Sequence, residues 1–181
     1  PLTEAAQAIS DVKPGVIVFH CTANSMESGL AHEKALVEII EEASGCPTIT
    51  TAQAITQAFD QSGIKKLVLI SPYVQSTNQL EVNYLSETGY KVLHEVGLGL
   101  ETHAYAAVTP QEWKAVVKEN SRSEADGYFL SCTNTRMIEA ISDLERDLGK
   151  PVINSNQATL WASLKKLGIQ HTDPRLGSLF H

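Results

Sequence analysis

The chain is poor in cysteine, in aromatic residues and in positive charge, and it has no long apolar run. Only three cysteines, Cys21, Cys46 and Cys132, occur in 181 residues. They are widely spaced and none forms a CxxC pair, so no disulfide scaffold or zinc motif is written into them. Fourteen Lys and Arg against twenty-one Asp and Glu leave a net charge of −7. An acidic chain without basic clusters is a poor partner for nucleic acid, which requires positive charge to displace counterions. Apolar runs such as Val16-Ile17-Val18-Phe19 stop far short of the ~20 residues that span a bilayer, so no membrane partner is expected. No signal-peptide pattern is read at the start, and a reducing, cytoplasmic setting is the expectation. Recognisable cofactor and hydrolase motifs are missing as well. Gly97-Leu98-Gly99-Leu100 lacks the third glycine of a dinucleotide loop, and His32-Glu33 and His94-Glu95 lack the second histidine of HExxH. There is no GxSxG and no P-loop. No metal and no cofactor are expected.

Present instead is an ordinary globular composition, 43% apolar and 19% charged, in which short β-rich runs alternate with amphipathic stretches. Residues 15–20, 48–50, 66–70, 91–96, 127–131 and 152–154 read as strands. The strongest of them are apolar on both alternating faces, as parallel strands covered from two sides must be. Between them the spacing predicts helices. In residues 134–148, Met137, Ile141, Leu144 and Leu148 share one stripe while Glu139, Asp143, Glu145 and Asp147 lie away from it. Residues 157–167 repeat the pattern with Trp161, Leu164 and Leu167. Gly45 before Pro47, and Gly63, Gly89, Gly149 and Gly168, mark helix ends. The fold class is α/β, with parallel sheets and helices on both faces. The tail from Thr172 to His181 reads as a loosely packed extension.

Two segments share a plan. Val16 to Asn24 and Tyr128 to Asn134 each run as an apolar strand, then Cys-Thr, then a polar loop before a helical stretch. Both cysteines therefore fall at the carboxyl end of a strand, where open α/β sheets form ligand crevices. A thiol there, ahead of a helix N-terminus, experiences the positive end of the peptide dipole, and nearby N–H groups can receive a carboxylate. Thr22 and Thr133 add hydroxyl donors. Two thiols facing one crevice suit chemistry at a carbon beside a carboxylate, one as nucleophile or base and the other delivering a proton. His20 adjoins Cys21, but neighbouring strand residues point to opposite faces, which favours a packing or hydrogen-bonding role. Cys46, between Gly45 and Pro47, is read as structural.

In Phe19-His20-Cys21-Thr22, Ser71-Pro72-Tyr73 followed by Asn78, Gly97-Leu98-Gly99-Leu100, Ser131-Cys132-Thr133-Asn134-Thr135-Arg136 and Pro151 through Ala158, the chain resembles the Asp/Glu racemase superfamily. Within it, the branch of maleate cis–trans isomerases and arylmalonate decarboxylases is the most similar. The resemblance implies a cofactor-independent enzyme of two pseudo-symmetric Rossmann-like halves with the active site between them. It implies that Cys21 is the nucleophile and Cys132 its acid/base partner, and that Tyr73, Thr22, Thr133 and Asn134 contact the substrate. Decarboxylases of the branch keep only the second cysteine, so the presence of both argues for an isomerase of small dicarboxylates, maleate isomerase-like. A two-cysteine amino-acid or hydroxy-acid racemase is the alternative, followed by an arylmalonate-type decarboxylase. A carboxylate-binding relative without turnover is the non-enzyme alternative.

The family pattern usually places an Asn after Gly99-Leu100, where His103 stands here; His103 is either a substrate donor or an exposed loop residue. The family's N-terminal strand has no counterpart in the sequence. Residues 1–181 are expected to form one racemase-like unit with halves at 66–151 and at 1–65 plus 152–181. The superfamily resemblance also implies a homodimer or higher homo-oligomer.

Overall fold

The computed structural model describes residues 2–181. Its six strands fall where the apolar runs predict them. β1 (Ile17–Phe19) and β2 (Thr48–Thr50) pair in parallel, Ile17 opposite Thr48 and Phe19 opposite Thr50. β3 (Lys66–Ser71), β4 (Lys91–Gly97), β5 (Gly127–Leu130) and β6 (Val152–Asn154) form a second, all-parallel sheet in the order β4-β3-β5-β6.

Alternation along β3 explains why this sheet needs layers on both sides. Leu67 and Leu69 enter a core with Ile55, Phe59, Tyr84, Phe129 and Ile153, whereas Val68 and Ile70 enter another with Trp113, Tyr128, Ile141 and Leu144. The helices that cover it are α4 (Thr51–Gln61), α5 (Gln75–Glu87), α6 (Pro110–Glu119), α7 (Ile141–Leu148) and α8 (Ser155–Lys166). α1 (Leu2–Ser10), α2 (Thr22–Met26) and α3 (Gly29–Ser44) complete the first part of the chain. There Ala6, Ile17 and Ile40 form a small core against which Cys46 packs, in keeping with its structural reading. Local chemistry sets the helix starts. Thr109 and Glu112 make a reciprocal capping box at α6, and Asn154 and Gln157 make another at α8.

Strand pairing departs from the expected halves. β6 hydrogen-bonds to β5, so residues 152–154 share the sheet of 66–151 rather than joining 1–65. The following α8 does return to the first part, packing on α4, where Ala54 and Ala58 are buried, as are Ala158 and Ala162 on α8. These small side chains let the helix axes approach, and they displace the expected stripe. Trp161 and Leu164 end half-buried, and Leu167 is exposed. Small residues at a close helix crossing carry no hydrophobic-periodicity signal, so the periodicity points to the larger side chains beside the true contact face.

Two further expectations change. The helix predicted over 134–148 begins as a 3₁₀ turn at Met137–Ala140 and becomes α-helical only at Ile141. Thr135 donates its hydroxyl to the Cys132 carbonyl and the Thr133 carbonyl is held by Asn156, so the Ser/Thr/Asn-rich segment shapes a loop instead of a helical turn. The tail is docked rather than loose. Leu179 and Phe180 are buried, Ser178 donates its N–H and hydroxyl to Glu145, and Gln157 donates to the Leu176 carbonyl.

Candidate active site

The strand order creates the crevice. From β3 the chain moves to β4 on one side, then crosses back to place β5 on the other, so the connections leaving β3 and β5 diverge at their carboxyl ends. Open α/β sheets bind ligands at such a switch point. Tyr73 follows β3 and Cys132 follows β5. Gly97 keeps the first of these turns in place. A Cβ there would come within 2.3 Å of the Tyr73 carbonyl oxygen. Its absence lets Leu98, Gly99 and Leu100 donate their N–H groups to the carbonyls of Ser71, Tyr73 and Pro72. The Gly-Leu-Gly-Leu run thus braces the Tyr73 turn.

Cys132 is buried and has φ +114°, outside the space a side-chain-bearing residue normally occupies. The turn brings the Asn134 N–H to 3.3 Å from its sulfur. The Tyr73 hydroxyl also hydrogen-bonds this thiol. Burial raises the thiol above its ordinary pKa despite those two bonds, and burial, with Glu81 next, raises the Tyr73 phenol. Both groups are therefore protonated at neutral pH.

Cys21 stands at the N-cap of α2, half-buried and reduced. Of the two thiols, only this one precedes an α-helix directly, and that helix has five residues. The matched dipole setting expected for Cys132 is replaced by the Asn134 N–H and the Tyr73 hydroxyl. Cys21 lies close enough to Cys132 and Tyr73 for its charge to oppose the ionisation of both. The structure therefore gathers Cys21, Cys132 and Tyr73 in one place.

Two residues that the sequence reading did not single out as site residues tie the cysteine loops together. Ser155 Oγ accepts from the Thr22 hydroxyl at 2.9 Å and from the Cys132 N–H at 3.2 Å. Asn156 donates to the Thr133 carbonyl at 3.1 Å and, through Oδ1, meets His20 Nε2 at 2.9 Å. With its amide nitrogen on Thr133, the Asn156 oxygen must accept, so His20 Nε2 carries the hydrogen. The other ring nitrogen contacts Thr51 Oγ1 at 3.1 Å. His20 is thereby a strut and not a base for Cys21. Thr22 is buried and structural in its bonding, Thr133 contributes its carbonyl, and Asn134 contributes its backbone N–H.

His103 is exposed on a 3₁₀ turn, Thr102–Ala107. The residue of that turn that reaches the site is Tyr105, whose ring meets Tyr73 edge-on at 5.7 Å. Motif residues Asn154-Ser155-Asn156-Gln157 flagged the bridging pair, whereas nothing local flagged Tyr105. Among the described residues no three His, Cys, Asp or Glu side chains converge as metal ligands. No described helix is long and apolar enough to cross a membrane. A cavity of about 460 Å³ between the end of α8 and the tail, lined by residues including Trp161, Lys165, His171 and Phe180, holds none of the groups above. The reactive groups sit in the crevice, which is where the chemistry is read.

Replacing Ser155 with alanine strands the Thr22 hydroxyl and the Cys132 N–H in the interior. A cost of about 1–3 kcal/mol is expected by urea unfolding. A change within a few tenths would show that the bridge carries no stability.

Residues 2–180 match the arylmalonate decarboxylase family. The chain belongs to that family. Among similar members, a maleate isomerase of Pseudomonas putida is 28% identical over 181 residues, covering 96% of this chain and 72% of its own length. An arylmalonate decarboxylase of Bordetella bronchiseptica is 26% identical over 172 residues, covering 92% and 71%. The crystal structure of arylmalonate decarboxylase, 25% identical, superimposes with a TM-score of 0.92 over 99% of this chain and 80% of that one. A maleate isomerase from Pseudomonas putida S16 shares the fold with a TM-score of 0.94 at 24% identity, over 99% and 75%. The mixed α/β architecture with parallel sheets is thus that of this family.

Proposed function

We propose that this protein is a cofactor-independent isomerase of small cis-dicarboxylates, working as a maleate isomerase does. The observation that carries the reading is the inequality of two adjacent thiols. Cys132 is buried, protonated and hydrogen-bonded to Tyr73, while Cys21 is the more exposed and heads a helix. The first suits a proton donor and the second a nucleophile. A racemase working both faces of one carbon calls for two more nearly equivalent thiols. The similarity to the Pseudomonas putida maleate isomerase supports the same choice.

In this reading the Cys21 thiolate adds to one alkene carbon. The π-electron pair moves to the neighbouring carbon, which takes the proton of Cys132 and leaves a thiolate there. The former double bond is now single and rotates. The Cys132 thiolate then removes the proton it gave, the double bond re-forms, and Cys21 leaves as thiolate with the trans acid. No proton or electron is gained or lost. Tyr73 donates to the Cys132 sulfur while that sulfur is anionic, which offsets the cost of a buried charge. Tyr105 packs on Tyr73 and holds its ring.

The same reading takes the protein to be cytoplasmic, in keeping with three free cysteines, and a homodimer or larger. The test is direct. Maleate incubated with the purified protein should lose its alkene proton signal in NMR as the fumarate signal grows. Deuterium exchange into an amino or hydroxy acid without such conversion would transfer the reading to a racemase.

A further inference from the structure

Beneath the Tyr73–Cys132 pair lies a buried polar row on α5. The Ser71 hydroxyl donates to Asn78 Oδ1, and the Ser131 hydroxyl donates to Glu81 Oε1 at 2.8 Å. Ser71 ends β3 and Ser131 follows β5, so the row spans the carboxyl ends of the two strands that frame the crevice. Glu81 has no exposed surface, and its second oxygen, Oε2, has no hydrogen-bond partner. A carboxylate with one hydrogen bond and no cation is a costly thing to bury. The titratable groups that face it are Glu95 from β4, Tyr73 from the turn ahead of α5 and Cys132 from the loop after β5. None of these carries positive charge. Burial accordingly pushes the Glu81 carboxyl up to about 8, Glu95 adding to the effect and the Ser131 bond opposing it.

We propose that Glu81 is a positioning residue for Cys132: through Ser131 it fixes the loop that carries the thiol, and its charge state sets how readily that thiol gives up its proton. Neutral Glu81 accepts the Ser131 hydroxyl and adds no field to the crevice. Once it loses its proton to solvent, a fixed negative charge faces both Tyr73 and Cys132 and opposes thiolate formation. Glutamine at this position keeps the accepting oxygen and cannot ionise. The inference rests on the isomerase reading only for the meaning of Cys132 in turnover, since thiol ionisation can be measured without substrate.

The experiment follows two titrations. In the wild-type protein labelled with ¹³C at glutamate carboxyls, one signal, assigned by its absence from Glu81→Gln, should titrate with a midpoint near 8. Iodoacetamide alkylation of Cys132, read by mass spectrometry of the peptide ending at Arg136, should proceed at equal rates in the two proteins below pH 7. At pH 9 it should run at least about threefold faster in Glu81→Gln, because the opposing charge is gone. A purely structural role would leave the two alkylation profiles parallel across the range. Superimposed or parallel profiles, or a Glu81 signal that titrates in the ordinary carboxylate range, would overturn the proposal. Should Glu81→Gln not fold, Glu81→Asp, which keeps a carboxyl on a shorter stem, assigns the wild-type signal by the same loss of one glutamate resonance, and the wild-type titration then decides the proposal. Lack of maleate turnover, by contrast, would count against the isomerase reading alone.

Discussion

Cys21→Ala is expected to remove isomerisation almost completely, by at least about 10⁴-fold in kcat, because the other thiol in the crevice, Cys132, is buried and held protonated and so makes a poor nucleophile for the bond that frees the alkene to rotate. Oxygen at the same place is no substitute. Cys21→Ser keeps the shape, but a hydroxyl at neutral pH is essentially never ionised, and His20, engaged through both ring nitrogens, does not act as its base. The serine variant should therefore be nearly as inactive as the alanine variant. Neither should cost much stability, about 1 kcal/mol or less, since the side chain is only half-buried and caps nothing. The alkene proton signals of maleate and fumarate report the first expectation and thermal unfolding the second. Residual turnover within tenfold of wild type would remove Cys21 from the nucleophile's role.

Substitutions at Cys132 should separate chemistry from strain. The thiol is the proton donor, so Cys132→Ser, Cys132→Ala and Cys132→Gly should each lower turnover by about 10²–10⁴-fold, the range that a positioned acid or base contributes. Their stabilities should fall in an unusual order. At φ +114° any side chain strains the backbone by about 1–3 kcal/mol, and glycine alone is free of that cost. Cys132→Gly is therefore expected to be more stable than Cys132→Ala by about 1 kcal/mol, against the usual preference for alanine, which a chain of this size shows as a melting shift of about 2–4 °C. Alanine equal to or above glycine would mean that the loop relaxes when the thiol is removed. The strain has a structural counterpart. The same backbone turn aims the Asn134 N–H at the sulfur and leaves the Cys132 N–H for Ser155.

These two thiols illustrate how much of the site is legible in the sequence. Their matched contexts, an apolar strand and then Cys-Thr, put both at strand ends from residue types alone. What the repetition conceals is their inequality. The segment after Cys21 turns directly into a helix, whereas after Cys132 the Thr135 hydroxyl donates to the Cys132 carbonyl, Asn156 donates to the Thr133 carbonyl, and the α-helix is delayed to Ile141. Short polar residues compete locally for backbone groups, and a periodicity reading does not register that competition. His103 shows a different limit. An alignment position names a residue, but a side chain reaches the site only if its turn points it there, and here the neighbouring Tyr105 is the one that does.

Local sequence determined the strands, their burial on two faces, the glycine helix ends and the two cysteine positions, because each depends on residue types a few places apart. Tertiary structure alone decided that β6 joins β5, that α8 nonetheless packs on α4, and that Ser155 and Asn156 reach both cysteine loops. It also decided that Glu81 lies beneath Cys132 without a partner for its second oxygen. Those contacts join residues far apart in the chain, His20 with Asn156 and Thr22 with Ser155 among them. They exist only after the strand order has been chosen, and that choice is set by the burial of whole faces, not by any single segment.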